Sequence, residues 1–199
     1  MHELLGTYIS NRTGLNPEEL QRILSRFQLI KTEKNQFLLR KGEICRHYYF
    51  VNSGILRLFT FNEYGEETTR YFAFEGAFGT ALPSFIEQSP AFEYIQVLEP
   101  TELLKISHQD FFELVQLSPA FGLIYRKILE ISFIEAQKRT YLFQGYPAEE
   151  KLNWVLHRYP KIFTRVSNKI IASFIGIKPA TLSRLKSKMR KNELGLPKM

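Results

Sequence analysis

The 199-residue chain is predicted to be an α+β protein: an N-terminal antiparallel β-roll, one long helix, and a C-terminal helical unit carrying a helix-turn-helix. Three observations carry this prediction. Short runs of aromatic and branched residues alternate with turn residues from about Phe27 to Ser107, the texture of a sandwich or barrel. A long run of helix-spaced apolar residues follows, from Ser118 to about Phe143. Charge then separates sharply: residues 151–199 hold 12 Lys/Arg and one acid, Glu193, whereas residues 1–150 hold 15 Lys/Arg and 19 acids. A basic module on a mildly acidic body is the footprint of a polyanion binder. Charge alone leaves a solvated lysine-rich tail as an equal alternative.

The first helix is expected just before the strands. Asn16 is a good N-cap, Pro17 suits the first helical position, Glu19 completes a capping box, and Leu20, Ile23, Leu24 and Phe27 recur at helical spacing. Strands are expected at Gln36–Arg40, Tyr48–Asn52, Ile55–Phe61, Thr68–Phe74, Tyr94–Leu98 and Glu102–Ile106. Alternation puts Ile55, Arg57, Phe59 and Phe61 on one face. Arg57 then either lines a ligand cavity or sits at the sheet rim paired with an acid.

A short helix is expected at Asp110–Leu117. Ser118 and Pro119 start the long helix, which Gly145-Tyr146-Pro147 ends. Ile124, Ile128 and Ile131 follow one stripe; Leu129, Phe133 and Ala136 follow another. Two apolar faces need two things to cover them; either both pack within one chain, or one meets an identical helix of a second subunit, and the reading is dimerisation, with Ile124, Ile128 and Ile131 as the interface. The organisation is thus 1–117 β-roll sensor domain, 118–145 dimerisation helix and 146–199 DNA-binding domain. Within the last, Ala148–Tyr159 is a further helix, with Trp154 in packing.

The functional signal lies between Ser167 and Leu185. Two helices that cross tightly need a small residue at the crossing, and Ala172 supplies it. The turn needs a residue tolerant of positive φ, and Gly176 supplies that. Ile171, Ile175, Ile177, Leu182 and Leu185 fall where the buried interface needs apolar groups, and Pro179 opens the second helix. Its N-terminal part would enter the DNA major groove. Thr181, Ser183 and Arg184 are placed to reach base edges, with Arg184 suited to guanine O6 and N7. Lys186, Lys188, Arg190 and Lys191 are read as phosphate contacts, as is Lys169 if it is not merely solvated. Lys178 stands where a capping hydroxyl is preferred and its charge opposes the helix dipole; a nearby phosphate or full solvation would relieve this.

Other classes find little support. One cysteine, Cys45, excludes an intramolecular disulfide and cysteine-rich zinc or iron–sulfur ligation within one chain. His2, His47, His108 and His157 show no metal-binding spacing, so no metal or other cofactor is expected. An enzyme built on the roll would need a His/carboxylate cluster there, for which His47 and His108 are the available histidines. A sensor whose basic region docks an acidic protein remains the alternative to a DNA binder. No run reaches 18 apolar residues, and the start MHELLGTYISNRTGL lacks a basic stretch followed by an apolar one. No membrane partner and a cytoplasmic location are therefore expected.

The order of parts resembles the Crp/Fnr family of bacterial transcription regulators. The resemblance rests on Tyr49-Phe50-Val51-Asn52-Ser53-Gly54, on the hairpin Asn62-Glu63-Tyr64-Gly65-Glu66-Glu67, on Phe72-Ala73-Phe74-Glu75-Gly76, and on the closing segment Leu98 to Ser107. It implies a cyclic-nucleotide-binding-like jelly roll, a winged-helix-like C-terminal domain, a homodimer on a two-fold symmetric operator, and RNA polymerase as a further partner. It places an effector pocket around Arg57, Gly76, Phe78, Gly79, Thr80, Ala81, Ala91 and Phe92. Nucleotide-binding members carry a Gly-Glu pair that holds the ribose and an arginine that meets the cyclic phosphate. Here Thr80 follows Gly79, and no arginine or lysine occurs between Arg70 and Lys105. With no cation for a buried phosphate, cAMP is not the expected ligand; another small effector, or none, fits better. Ala180 stands where relatives often carry a base-reading glutamate, so operator preference should differ. Few residues follow the recognition helix, so the wing is expected to be reduced.

Overall fold

The computed structural model describes residues 2–193. In chain order the elements are α1 (Glu3–Ser10), α2 (Pro17–Ser25), β1 (Gln28–Thr32), β2 (Phe37–Leu39), β3 (His47–Ser53), β4 (Leu56–Phe61), β5 (Glu67–Ala73), β6 (Phe78–Gly79), α3 (Leu82–Glu87), β7 (Tyr94–Val97), β8 (Thr101–Ser107), α4 (His108–Leu117), α5 (Pro119–Gly145), α6 (Ala148–Arg158), α7 (Ile162–Arg165), α8 (Asn168–Ile175) and α9 (Pro179–Glu193). The strands form two four-stranded sheets, ordered β1-β8-β3-β6 and β2-β7-β4-β5. This is the expected antiparallel roll. The chain divides into two compact units: residues up to Thr60 with Arg70–Ile134, and Phe61–Thr69 with Glu135 onward.

In the first unit, β3 explains the roll. Phe50 stands opposite Phe78 and Tyr49 opposite Gly79, so the two pairs point to opposite faces. Phe50 and Phe78 meet the ring of Tyr8 on α1 at 5.8 and 5.4 Å. Tyr48 stacks on Phe111 of α4 at 5.1 Å, and Phe111 meets Phe121 of α5 at 5.3 Å. One side of the sheet is thus sealed by helices through aromatic rings that favour edge and offset contacts. Burial pushes the Tyr48 and Tyr49 phenols above their usual range.

Side chains cap the helix starts, at Asn16 as expected and at Ser107, where the helix begins two residues before the expected Asp110. Asn16 accepts from the Glu19 backbone N–H at 2.9 Å, and Ser107 accepts from that of Asp110 at 3.0 Å. Arg26 then ties α2 to α4 by ion pairs to Asp110 at 2.6 Å and Glu113 at 2.9 Å. The Ser107 hydroxyl and the Arg26 guanidinium together hold the Asp110 carboxyl below its usual range. Gly54 is obligatory. Its φ is +97°, and a Cβ there would come within 2.9 Å of the Thr101 Cα.

The long helix corrects one expectation. Ile124 and Ile128 are 1% and 7% exposed, packed in the core cluster of their own roll. They are not free to meet a second chain. Ile131 is 39% exposed. The uncovered apolar side chains of α5 include Leu123, Phe133, Ile134 and Tyr141. The β-roll covers the face that the isoleucine stripe marked out, because α5 begins straight after α4 and lies against the same sheet-sealing rings.

Candidate nucleic-acid interface

The second unit builds the helix-turn-helix from a few local bonds. Ser167 caps α8, its hydroxyl accepting from the Ile170 N–H at 3.4 Å. Gly176 closes it at φ +76°, ψ +37°, the left-handed conformation that favours glycine. The N–H groups of Gly176 and Ile177 both reach the Ala172 carbonyl, at 2.9 and 3.1 Å. The Lys178 carbonyl then accepts from Thr181 and Leu182 to start α9. Ala172 is 1% exposed and Leu182 fully buried, so the two helices cross where the small residue was expected.

Phe174 anchors this unit. Its ring meets Trp154 at 6.4 Å, Phe143 at 6.2 Å and Tyr159 at 6.3 Å. The Arg139 guanidinium lies 4.5 Å from the same ring and donates to the Phe174 carbonyl at 3.2 Å. A cation at the C-terminal end of α8 matches its dipole. Phe174 was not singled out in the sequence, although it shares helical spacing with Ile170, Ile171 and Ile175.

The expected DNA-facing residues divide into two groups. Lys169, Lys178, Pro179, Thr181, Ser183 and Arg184 are all exposed. Two of the lysines have partners inside the unit. Lys186 is half-buried; it donates to Asn168 Oδ1 at 3.0 Å and lies 3.8 Å from the centre of the Phe163 ring. Lys188 pairs with Glu149 of α6 at 2.7 Å, both groups remaining substantially exposed. The side chains of Arg190 and Lys191 lie outside the described residues, as does the chain after Glu193, where the reduced wing was expected.

In the roll, the expected pocket residues do not all converge. Phe78, Ala81 and Ala91 belong to the buried cluster. A Cβ on Gly79 would face Ala73 at 3.4 Å and Leu56 at 3.5 Å, so Gly79 lies on the interior side. Thr80 is buried, its hydroxyl donating to the His47 carbonyl at 3.0 Å and lying 3.2 Å from Cys45 Sγ. Gly76 is half-exposed at a turn, its N–H donating to the Val51 carbonyl at 2.9 Å. Phe92 is 75% exposed. Arg57 alternates with the interior Leu56 and Leu58 and so takes the opposite face. There it is 2% exposed, donates to Gln96 at 3.0 Å and stacks 3.9 Å from the Phe59 ring centre. Arg57 therefore belongs neither to the roll interior nor to an exposed rim. Arg70 is held by Glu93 in a two-point pair at 2.9 and 2.8 Å. Among the described residues no group of three or more His, Cys, Asp or Glu could hold a metal ion, and no helix is long and apolar enough to cross a membrane.

The chain thus carries a two-sheet roll, a long helix and a helix-turn-helix in that order. Residues 29–118 match the family model of the cyclic nucleotide-binding domain. The fumarate and nitrate reduction regulatory protein of Vibrio cholerae is 23% identical over 188 residues, spanning 89% of this chain and 74% of that protein. The fold is similar to that of the c-di-GMP responsive global regulator CLP of Xanthomonas campestris, with a TM-score of 0.70 at 19% identity over 90% of this chain and 94% of that one. It is also similar to FixK2 of Bradyrhizobium japonicum, with a TM-score of 0.74 at 14% identity over 84% and 86%. Residues 29–118 thus form a cyclic nucleotide-binding-type roll, and the chain shares its fold with these two solved regulators.

Gly176→Ala should destabilise the second unit by about 1–2 kcal/mol, the cost of a left-handed residue with a Cβ. Ser167→Ala should cost about 1 kcal/mol through the lost cap. Urea titration followed by Trp154 fluorescence reads both; an unchanged midpoint for Gly176→Ala would contradict the turn geometry.

Proposed function

We propose that this protein is a transcription regulator that binds a two-fold symmetric DNA site as a homodimer, and that its roll does not take cAMP. The observation that carries the proposal is the division of α9. Leu182 is fully buried, while Thr181, Ser183 and Arg184 around it are exposed, which leaves groove-reading side chains on a helix firmly seated by the one before it. Lys169 and Lys178 add exposed positive charge at the starts of α8 and α9, suited to phosphate. The basic balance of residues 151–199 supplies the non-specific part of the attraction.

Dimerisation is supported by exposed apolar groups on α5. Leu123, Ile134 and Tyr141 are 52%, 50% and 66% exposed and recur eleven and then seven residues apart, near one side of the helix. This stripe replaces the one led by Ile124 and Ile128. The reading on cAMP rests on three features. Thr80, bonded to His47, occupies the place of the ribose-binding acid. The nearest preceding cation, Arg70, is already held by Glu93. The segment from there to Lys105 supplies no other Lys or Arg.

Selection from random duplex DNA should recover a palindromic site. Arg184→Ala should then relax preference at one base pair of each half-site, a loss of about 1–3 kcal/mol; unaltered selectivity would remove Arg184 from base reading. Ile134→Asp should convert a dimer to a monomer at micromolar concentration in sedimentation, and a persistent dimer would place the contact elsewhere. Millimolar cAMP should leave the thermal midpoint unmoved; a saturable rise would refute the reading of the pocket.

A further inference from the structure

Lys186 differs from the other lysines expected at the DNA. It follows Leu182 by one helical turn, so it shares the inward edge of α9; Leu182 is fully buried and Lys186 half-buried. Arg184 stands two residues earlier, about 200° away around the helix, and is exposed. The Lys186 ammonium donates to Asn168 Oδ1 at 3.0 Å and sits over the Phe163 ring at 3.8 Å from its centre. Phe163 belongs to α7 and Asn168 is the first residue of α8. One cation on α9 therefore engages both preceding elements. An ammonium on a ring face has a direction to satisfy as well as a charge.

We propose that Lys186 is a positioning residue for sequence-specific DNA recognition: it sets the angle at which α9 leaves α8, rather than neutralising a backbone phosphate. This rests on the DNA-binding reading above and deepens it by assigning a determinant of specificity away from the base-reading face. The chemistry separates the two roles. A phosphate contact releases counterions and contributes about 0.9 to the slope of log affinity against log salt, on every sequence alike. A cation whose contacts lie within the protein contributes none of that slope, yet its loss lets the reading helix tilt and weakens the matched sequence selectively.

The test uses the full-length protein, the duplex recovered by selection and a shuffled duplex of the same length, titrated by fluorescence anisotropy at several salt concentrations. Lys186→Met keeps the stem and removes the ammonium. It should weaken the selected duplex about tenfold, comparable with one mismatched base pair. It should leave the shuffled duplex within about twofold, with its salt slope unchanged. Lys186→Arg should recover most of the loss, since a guanidinium also stacks on a ring and donates to an amide oxygen. Phe163→Leu should reproduce the selective loss, and the exposed Asn168→Ala should do so in part without threatening the fold. A salt slope lowered by about one with equal weakening of both duplexes would identify Lys186 as a phosphate contact and overturn the proposal. Unchanged affinity for both duplexes in Lys186→Met would overturn it as well. If the native chain itself binds the two duplexes equally, the DNA-reading assignment fails first, and this one with it.

Discussion

The close crossing of α8 and α9 governs what every other group in the C-terminal unit can do. Ala172 on α8 and Leu182 on α9 are both buried, and Gly176 lets the chain reverse while its N–H and that of Ile177 share one carbonyl. With Leu182 fixed inward, helical geometry forces Thr181, Ser183 and Arg184 outward. The same crossing presents the C-terminal carbonyls of α8 to Arg139 and its Phe174 ring to Trp154, Phe143 and Tyr159. Loss of the crossing would therefore disturb the core and the exposed face of α9 together.

Much of this was legible because it depends on residues with few substitutes. Asn16-Pro17, Ser118-Pro119 and Pro179 announced helix starts, and the strands that alternate or carry aromatic runs were found to within a few residues. The elements that escaped share a different physics. The β1 strand, Gln28–Thr32, gets its strand identity from pairing with β8, a contact remote in sequence. The two-residue β6 is a strand only because Tyr49 and Phe50 lie beside it. The α7 helix is a single turn, Ile162–Arg165, too short for periodicity to register. Helical spacing marked Ile124 and Ile128 as apolar but could not say what they face; the answer is the core of the roll itself, which takes both in. Arg57 shows the same limit, since alternation assigns a face and not the surroundings that bury it.

The roll also separates scaffold from ligand chemistry. Gly54 passes so close to Thr101 that no side chain fits, and its N–H is held by the Glu75 carboxylate at 2.8 Å. Thr32 donates to the Thr101 carbonyl at 2.9 Å. These contacts join sheet edges and turns, and they work whether or not anything occupies the interior. The segment from Gly79 to Glu93 stands elsewhere, and in it Thr80 and Glu93 are bonded to partners of the protein's own, the His47 carbonyl and Arg70. Substitutions in that segment can thus leave the frame of the roll intact, because the two sets of residues scarcely overlap.

Charge is informative at the level of a segment and ambiguous at the level of a residue. Residues 151–199 are strongly basic, yet several of their cations already serve the fold. Lys151 donates to the Phe143 carbonyl at 2.9 Å, Lys186 is held by Phe163 and Asn168, and Lys188 is paired with Glu149. Lys169, Lys178 and Arg184 project into solvent. A long-range field sums over all of them and draws in a polyanion regardless of their local contacts. Specific recognition does not sum in this way. It depends on how accurately a few exposed groups are aimed, which long-range charge does not determine. A basic helix that devoted every lysine to phosphate would gain affinity for all sequences and lose the rigidity that distinguishes one from another.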